Sequence, residues 1–282
     1  MAHNRVVSFF KTPVFLAKEY FHRKPDPHFQ YDFVNGDLKA KAAQDAATMR
    51  RDGIVILPGF FKGEQLQQMQ DAFETAVAGR PCKKNPDTLL NTEFLHEHFI
   101  FLKAALDDYL LEVMAGYFQK RFSIGRYSAI RIMPTDAGRY GSFQWHHDSR
   151  GRQINVQMLM SPVSAEGQCM TYLKGSQDVY YDHYRGLAGG SRFEKDLDLA
   201  KDPALASRVV KLMGPAGTVG LFDSNGLHSG NRNNVEKRDT VSFNFASKRH
   251  FKKFTVRKEH LEALEPKKRQ ILQFNPHCEI IA

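Results

Sequence analysis

The sequence has few cysteines, a single tryptophan and no long apolar run. Its three cysteines, Cys82, Cys169 and Cys278, lie far apart and match neither a disulfide framework nor a zinc-binding pattern. No apolar stretch reaches the roughly 18 residues that a membrane-spanning helix requires. Repeats and low-complexity segments are also lacking, and the N-terminus does not have the shape of a signal peptide. These absences argue against membrane-spanning and disulfide-rich secreted proteins, and predict a cytoplasmic protein.

What the sequence does have is an excess of positive charge. The formal net charge is +9, although the hydrophobic and charged fractions, 42% and 25%, are typical of a globular protein. Nine lysines and arginines stand against three glutamates between Lys248 and Arg269. A basic cluster can attract nucleic acid, an anionic membrane surface or an anionic small molecule. We expect a small or lipid-like substrate rather than nucleic acid, and the basic charge is compatible with an anionic one.

The chain reads as one domain with an appendage, because no Gly- or Pro-rich linker divides it. Residues 1–35 mix phenylalanines with basic residues, a pattern that fits either packing on the domain or peripheral contact with a membrane surface. We expect the domain to span residues 36–282, with a helical part at 36–120. A lid-like insertion is expected at 178–213 and a basic C-terminal helix at 250–275. The sequence does not determine the oligomeric state.

The periodicity of the chain changes near residue 122. Before that point, apolar spacings predict helices at 38–51, 62–78 and 102–118 and a strand at 54–57. After it, short apolar or alternating runs predict strands at 123–133, 142–147, 154–160, 169–173, 218–222 and 240–246. A mainly β protein with flanking helices follows, built as an antiparallel sandwich or barrel. Residues 257–273 read as a helix with Pro266 as a breaker.

Histidine and aspartate residues near two predicted strand ends indicate a metal site. On a strand, alternation places His146 and Asp148 on one face. His228 follows the strand predicted at 218–222 after a short turn. Two imidazoles and one carboxylate are the ligand set of non-haem Fe(II) oxygenases, and they leave coordination positions open for a co-substrate and oxygen.

A carboxylate receptor is predicted next to this site. Arg238 and Thr240 share one face of the strand that follows His228 by ten residues. A guanidinium can hold a carboxylate through two hydrogen bonds, and a neighbouring hydroxyl can assist. The co-substrate would therefore be a dicarboxylic acid, bound to the metal at one end and to Arg238 at the other.

An ordered set of motifs resembles the Fe(II)/2-oxoglutarate-dependent oxygenases, and among them the phytanoyl-CoA dioxygenase-like family. The motifs are Asp52-Gly-Ile-Val-Ile-Leu-Pro-Gly-Phe60, His146-x-Asp148, Glu166-Gly167, Lys174-Gly-Ser-Gln177, and the closing His228, Asn231 and Arg238. The family usually has Pro-Gly-Ser-His where this chain has Lys174-Gly-Ser-Gln177. That difference suggests a loop adapted to a different substrate.

The resemblance implies a double-stranded β-helix, the cupin-like jelly roll, and an oxygenase reaction. It implies that His146, Asp148 and His228 bind Fe(II), that 2-oxoglutarate chelates the metal and meets Arg238 with help from Thr240, and that O2 is consumed. Succinate and carbon dioxide would be released while a substrate C–H bond is oxidised. Halogenating relatives lack the carboxylate, so Asp148 favours hydroxylation, desaturation or ring closure over halogenation.

Further candidate residues are weaker. Gln157 and Arg131 are candidates for contact with 2-oxoglutarate, and Gln144 and Asn231 for contact with substrate. Tyr181 and His183 in the predicted lid complete the set. Two alternatives stay open: a non-catalytic, cupin-like metal-binding protein, and the same chemistry on a macromolecule. A passive metal site has no use for Arg238, and a nucleic-acid substrate would show steeply salt-dependent binding.

Overall fold

A computed structural model describes residues 24–82, 85–136, 143–148, 152–177, 202–247 and 251–282. The helices in this part of the chain are α1 (Gly36–Asp52), α2 (Gly63–Val77), α3 (Phe99–Ala105), α4 (Asp108–Phe118), α5 (Pro203–Ala206), α6 (Lys258–Glu262) and α7 (Pro266–Gln273). The strands are β1 (Ile54–Leu57), β2 (Pro81–Cys82), β3 (Asn85–Asn91), β4 (Ser123–Ile132), β5 (Gln153–Leu159), β6 (Met170–Leu173), β7 (Val209–Leu212), β8 (Val219–Asp223), β9 (His228–Gly230), β10 (Arg238–Ala246), β11 (Phe254–Arg257) and β12 (Cys278–Ile281).

Most strands form two sheets. A seven-stranded sheet has the order β1-β8-β5-β10-β4-β3-β2, and a three-stranded sheet has the order β7-β6-β9. Every pairing in these two sheets is antiparallel. The inner faces pack together through a cluster that includes Leu159 and Phe222 of the large sheet and Tyr172 and Leu212 of the small one. The arrangement is a sandwich of two unequal sheets, as the strand pattern predicts.

Strict alternation along β10 divides the large sheet into an apolar outer face and a polar inner face. Val241, Phe243 and Phe245 are fully buried in the core that the sheet shares with the helices. Ser242 and Asn244 lie between them and point the other way, into a cavity between the sheets. Because helices cover the outer face, the polar side chains that a ligand can reach lie on the inner face.

The helical part packs on the outer face of the large sheet. Met69 and Phe73 of α2 and Leu110 and Tyr117 of α4 belong to the same core as the sheet's apolar face. Helix α1 ends at Gly53, whose φ of +79° is a left-handed conformation that glycine adopts without strain. The chain then enters β1 directly.

The described part of the N-terminal appendage, residues 24–35, also contacts this core. Phe29, Tyr31 and Phe33 are partly buried against it. The Phe33 amide donates a hydrogen bond of 2.7 Å to the buried Glu112 carboxylate on α4. Residues 1–23 lie outside the described residues, so membrane contact by the N-terminal segment stays a prediction. No helix among the described residues is long and apolar enough to cross a bilayer.

Three sequence expectations need correction. The helix predicted at 102–118 is two helices, because the Asp107 carboxylate accepts hydrogen bonds from the amides of Tyr109 and Leu110 and begins α4 there. Pro266 occupies the first turn of α7, so residues 257–273 also form two helices. In the segment predicted as a strand at 142–147, the described residues, from 143 on, form only one β-bridge, between His146 and His228.

Candidate active site

Two histidines and one aspartate converge between the two sheets. Each of His146, Asp148 and His228 offers a ligand atom within 4.8 Å of the other two. Both histidines are buried, and the carboxylate is partly accessible. These three residues, called the metal triad below, are the facial set of two imidazoles and one carboxylate that the sequence predicts.

Backbone hydrogen bonds fix the two halves of the metal triad to each other. The His146 amide donates to the His228 carbonyl at 2.9 Å, and the His228 amide donates to the His146 carbonyl at 2.8 Å. Two residues further on, the Asp148 amide donates to the Ser224 carbonyl at 2.8 Å. His146 and His228, which are 82 positions apart in the sequence, are thus paired like residues of neighbouring β-strands. The site therefore forms only when these two segments come together in the folded protein.

Both imidazole rings are oriented by main-chain carbonyls. The Nδ1 atom of His146 lies 2.8 Å from the Gln144 carbonyl, and the Nδ1 atom of His228 lies 2.9 Å from the Gly226 carbonyl. A carbonyl accepts only, so each Nδ1 carries the proton and each Nε2 presents a lone pair. This is how metal-binding histidines are commonly held. The donor set therefore fits a divalent iron ion.

Asp148 keeps its negative charge in this setting. Burial raises the pKa of its carboxyl, but the neighbouring His228, Arg126 and His146 outweigh that effect and lower the pKa below its usual value. The Arg126 guanidinium donates to Oδ2 of Asp148 at 3.0 Å, and Oδ1 lies 3.9 Å from Nε2 of His146. An ionised carboxylate at this position is a suitable iron ligand.

Arg238 is a buried cation with no carboxylate partner in the described part of the chain. Its guanidinium donates to the Gln168 carbonyl at 2.5 Å, and its Nε has no partner among the described residues. Burial lowers the pKa of Arg238 to about 10, so the group is still charged at neutral pH. A buried cation without a counter-ion is costly unless a ligand supplies the negative charge. This position fits the distal carboxylate of 2-oxoglutarate.

One cavity of about 950 Å³ joins Arg238 to the metal triad. Strand register shows which residues form its inner wall. Phe222, Asn155, Asn244 and Arg126 lie side by side across β8, β5, β10 and β4. Phe222 is in contact with the ring of His228, with centroids 5.3 Å apart, and Arg126 contacts Asp148. This inner row therefore begins and ends beside the metal triad.

The comparisons with known proteins agree with this geometry. The phytanoyl-CoA dioxygenase (PhyH) family matches residues 49–239, about two thirds of the chain. The chain belongs to the phytanoyl-CoA dioxygenase family. The donor set of the metal triad fits iron, and Arg238 fits 2-oxoglutarate as the co-substrate. No curated protein sequence matches the chain significantly.

Solved structures share the fold of this phytanoyl-CoA dioxygenase-family protein at low sequence identity. The apo form of EctD from S. alaskensis has a TM-score of 0.59 and 18% identity, and the match covers 79% of this chain and 82% of that one. The epimerase SnoN from nogalamycin biosynthesis gives 0.56 and 15%, over 74% and 84%. HygX from Streptomyces hygroscopicus, with nickel and 2-oxoglutarate, gives 0.55 and 14%, over 80% and 93%. The predicted jelly-roll fold is confirmed.

Arg131 is the clearest correction to the predicted site of this oxygenase. Its side chain projects from the outer face of the large sheet. There the guanidinium donates to Asp239 at 2.7 Å and to Glu74 at 2.5 Å. Alternation explains the position, because Arg131 pairs across the strands with Asp239, which is on the opposite face to Arg238. Arg131 therefore cannot contact 2-oxoglutarate and has a structural role.

The other predicted contacts have four different outcomes. Gln157 lines the cavity and its Oε1 has no partner among the described residues, and Thr240 shares the inner face with Arg238. Gln144 contributes its backbone carbonyl to His146. The side-chain amide of Asn231 donates to the Gly167 carbonyl at 2.7 Å, and its contact with substrate stays a prediction. The predicted lid residues Tyr181 and His183 lie outside the described residues.

Sequence reasoning missed Asn155, Asn244 and Arg126. The Oδ1 atom of Asn155 and both polar side-chain atoms of Asn244 are buried without a hydrogen-bond partner in the part of the chain that the structure describes. One signal was available: β10 reads Thr240-x-Ser242-x-Asn244 between large apolar residues. Polar residues at every second position of a strand indicate an exposed or a ligand-facing side, and only the folded structure distinguishes these.

Proposed function

We propose that this oxygenase hydroxylates an unactivated C–H bond of a small, anionic organic molecule. The observation that carries the proposal is the cavity, which joins the metal triad to Arg238 and is also lined by Arg126, Lys252 and Lys253. Bound iron and 2-oxoglutarate supply the oxidation that turns C–H into C–OH, with one oxygen atom of O2 entering the product and the other entering succinate, and carbon dioxide released. The chain's own residues bind and orient the co-substrate and the substrate, and they exclude water from the site.

Arg238 orients the co-substrate. A guanidinium can grip a carboxylate through two parallel hydrogen bonds, which fixes the direction of the acid as well as its position. Gly230 lies beside this group: a Cβ there would approach the Phe143 ring to 2.9 Å, too close for the ring to stay in place, but would make only ordinary contact with the Arg238 guanidinium at 3.7 Å. The cation therefore acts on 2-oxoglutarate and leaves the other end of the cavity to the substrate.

The inner row and the cavity mouth support a polar, anionic substrate. Asn155 and Asn244 bring unsatisfied amide atoms to the cavity, and leaving such atoms buried without a partner is costly. Arg126, Lys252 and Lys253 also line the cavity and give it an excess of positive charge. A charged cavity concentrates ligands of the opposite sign. A small molecule with a carboxylate or phosphate group satisfies both features.

The similar structures support a small-molecule substrate over a macromolecule. One EctD structure holds 2-oxoglutarate and 5-hydroxyectoine, one SnoN structure holds nogalamycin RO, and one HygX structure holds hygromycin B. Each of these ligands belongs to that protein. For this chain they support only the size class of the substrate.

A substrate screen tests the proposal. The purified protein with Fe(II), 2-oxoglutarate, ascorbate and O2 is incubated with carboxylated, phosphorylated and thioester metabolites, and each is paired with an uncharged analogue. We expect succinate release to rise with an anionic member and a product heavier by one oxygen atom. The Asp148→Ala variant should give neither signal. Equal stimulation by charged and uncharged analogues would contradict the anionic class, and stimulation by none would favour a passive metal-binding role.

A further inference from the structure

A buried aspartate with no ligand contact lies at the start of the turn that carries His228. Asp223 is the last residue of β8 and only 1% exposed. Residues 224–227, called the ligand turn below, connect it to His228. Two carbonyls of this turn act on the metal triad: that of Ser224 accepts from the Asp148 amide, and that of Gly226 accepts from Nδ1 of His228. The ligand turn thus sets the position of two of the three ligands.

The Asp223 carboxylate holds the ligand turn from the helical side. Its Oδ1 accepts from the backbone amide of Asn225 at 2.9 Å and from the Asn225 side-chain amide at 3.0 Å. Its Oδ2 accepts a short hydrogen bond from the hydroxyl of Tyr117, a fully buried residue of α4. A carboxylate accepts only, so it matches donors on both oxygens, whereas an asparagine would direct its NH2 group at one of them.

The small sheet holds the same turn from the other side. The Ser176 hydroxyl accepts from the Leu227 amide at 2.7 Å and donates to the Leu173 carbonyl at 2.6 Å. The Tyr172 hydroxyl donates to the Asp223 carbonyl at 3.0 Å. A Cβ at Gly226 would overlap this hydroxyl, so the turn and Tyr172 are in close contact. Contacts with Tyr172 and Ser176 thus restrict the ligand turn on the side of the small sheet. The Asp223 carboxylate restricts it on the side of the helices.

We propose that Asp223 is a positioning residue for the iron site. Acting through the Ser224 and Gly226 carbonyls, it sets where the Asp148 carboxylate and the His228 ring stand. The inference rests on the iron site of the proposed function but not on the substrate. Groups that orient metal ligands from behind typically change metal affinity roughly 10–100-fold when they are replaced.

The test is an anaerobic Fe(II) titration in the presence of 2-oxoglutarate, followed by the visible charge-transfer absorption of the iron–2-oxoglutarate complex. We expect Asp223→Asn to raise the Fe(II) concentration at half-saturation roughly 10–100-fold, and to shift the absorption maximum. Tyr117→Phe, which removes one donor and keeps the carboxylate, should change both quantities in the same direction but less.

Glu112→Gln is the matched control. Like Asp223, Glu112 is a buried carboxylate, and it lies on α4. It accepts its described hydrogen bond from the Phe33 amide, away from the metal triad. A general cost of losing a buried carboxylate would lower the melting temperature of the metal-free protein in both variants and leave Fe(II) binding unchanged. Wild-type titration and absorption in both Asp223→Asn and Tyr117→Phe would overturn the proposal. Absence of the absorption in the wild-type protein would instead overturn the iron site itself, and a wild-type complex that oxidises no anion would overturn only the substrate class.

Discussion

The two faces of the large sheet use arginine in opposite ways. Arg131 and Arg238 lie on the neighbouring strands β4 and β10, separated by one step of register. On the outer face, the hydrogen bonds that Arg131 donates to Asp239 and Glu74 raise the pKa of Arg131, and both carboxylates neutralise it. On the inner face, burial lowers the pKa of Arg238, and no carboxylate balances its charge within the described ranges.

The difference shows how this fold separates stability from function. The outer face satisfies its polar groups within the protein and packs the rest under helices. On the inner face, several polar atoms of Arg238, Asn155, Gln157 and Asn244 have no partner among the described residues. Such groups are a cost in the ligand-free protein. Ligand binding recovers that cost, so the inner face is where substitutions should change binding more than stability.

The largest expected effect is the loss of a metal ligand. His228→Ala removes an imidazole that the Gly226 carbonyl orients, and leaves two ligands. We expect Fe(II) binding to be lost in the range of concentrations that saturates the wild type, while thermal unfolding of the metal-free protein changes little. Metal analysis after desalting measures the first quantity and calorimetry the second. Retention of stoichiometric iron would show that His228 is not a ligand.

The second effect is on co-substrate affinity. Arg238→Met removes the carboxylate receptor and the buried charge together. We expect the Kd for 2-oxoglutarate to rise roughly 10–100-fold, the equivalent of losing hydrogen bonds to a charged group. Because an unpaired buried cation is removed, the metal-free protein should be no less stable. A loss of stability without a change in Kd would reverse the roles assigned to the two faces.

The third effect is on stability alone. Arg131→Met leaves Asp239 buried, with the Lys237 ammonium at 2.9 Å as its other partner. We expect the free energy of unfolding to fall by about 2 kcal/mol, less than for a fully buried pair because Lys237 remains. Denaturant unfolding at several protein concentrations measures it. The Kd for 2-oxoglutarate should stay within about twofold of the wild type, because Arg131 does not contact the cavity. A twofold change corresponds to about 0.4 kcal/mol of binding free energy.

The smallest expected effect on stability is at Asn244. Asn244→Leu replaces two unsatisfied polar atoms by an apolar side chain of similar size. We expect the free energy of unfolding to stay constant or to rise by up to about 1 kcal/mol. Substrate-dependent succinate release should fall, with 2-oxoglutarate binding unchanged. Destabilisation by this variant would mean that Asn244 satisfies its amide within the protein, and the inner row would then not be a ligand surface.

Most of the fold could be predicted because periodicity reports burial directly. The large alternating residues of β4, β5, β8 and β10 identify these strands, and the apolar spacing of α2 identifies that helix. Strand β3 was missed, since its first residues, Asn85-Pro86-Asp87, show no apolar alternation. In the structure β3 lies between β4 and the short edge strand β2. The sequence also did not show that His146 forms a single β-bridge and is not part of a strand. The backbone conformation there is set by contacts between the two sheets and not by local strand propensity.

The metal triad and Arg238 could be predicted because their residue types and spacing match few other chemistries. Arg131 could not be placed, because its face depends on register. A shift of one residue exchanges the inside and the outside of the sheet. Asn155 and Asn244 could not be distinguished from solvent-exposed residues, because the sequence does not show that helices cover the opposite face. The positioning role of Asp223 requires Tyr117, 106 residues away along the chain.

The most direct test of the central claim is an anaerobic 2-oxoglutarate titration of the iron-loaded protein, with Arg238→Met and Arg131→Met side by side. We expect the charge-transfer absorption to form at wild-type 2-oxoglutarate concentrations in Arg131→Met, and only at roughly 10–100-fold higher concentrations in Arg238→Met. Equal affinity of the two variants for 2-oxoglutarate, or a loss confined to Arg131→Met, would contradict the assignment of the inner face as the ligand-binding face.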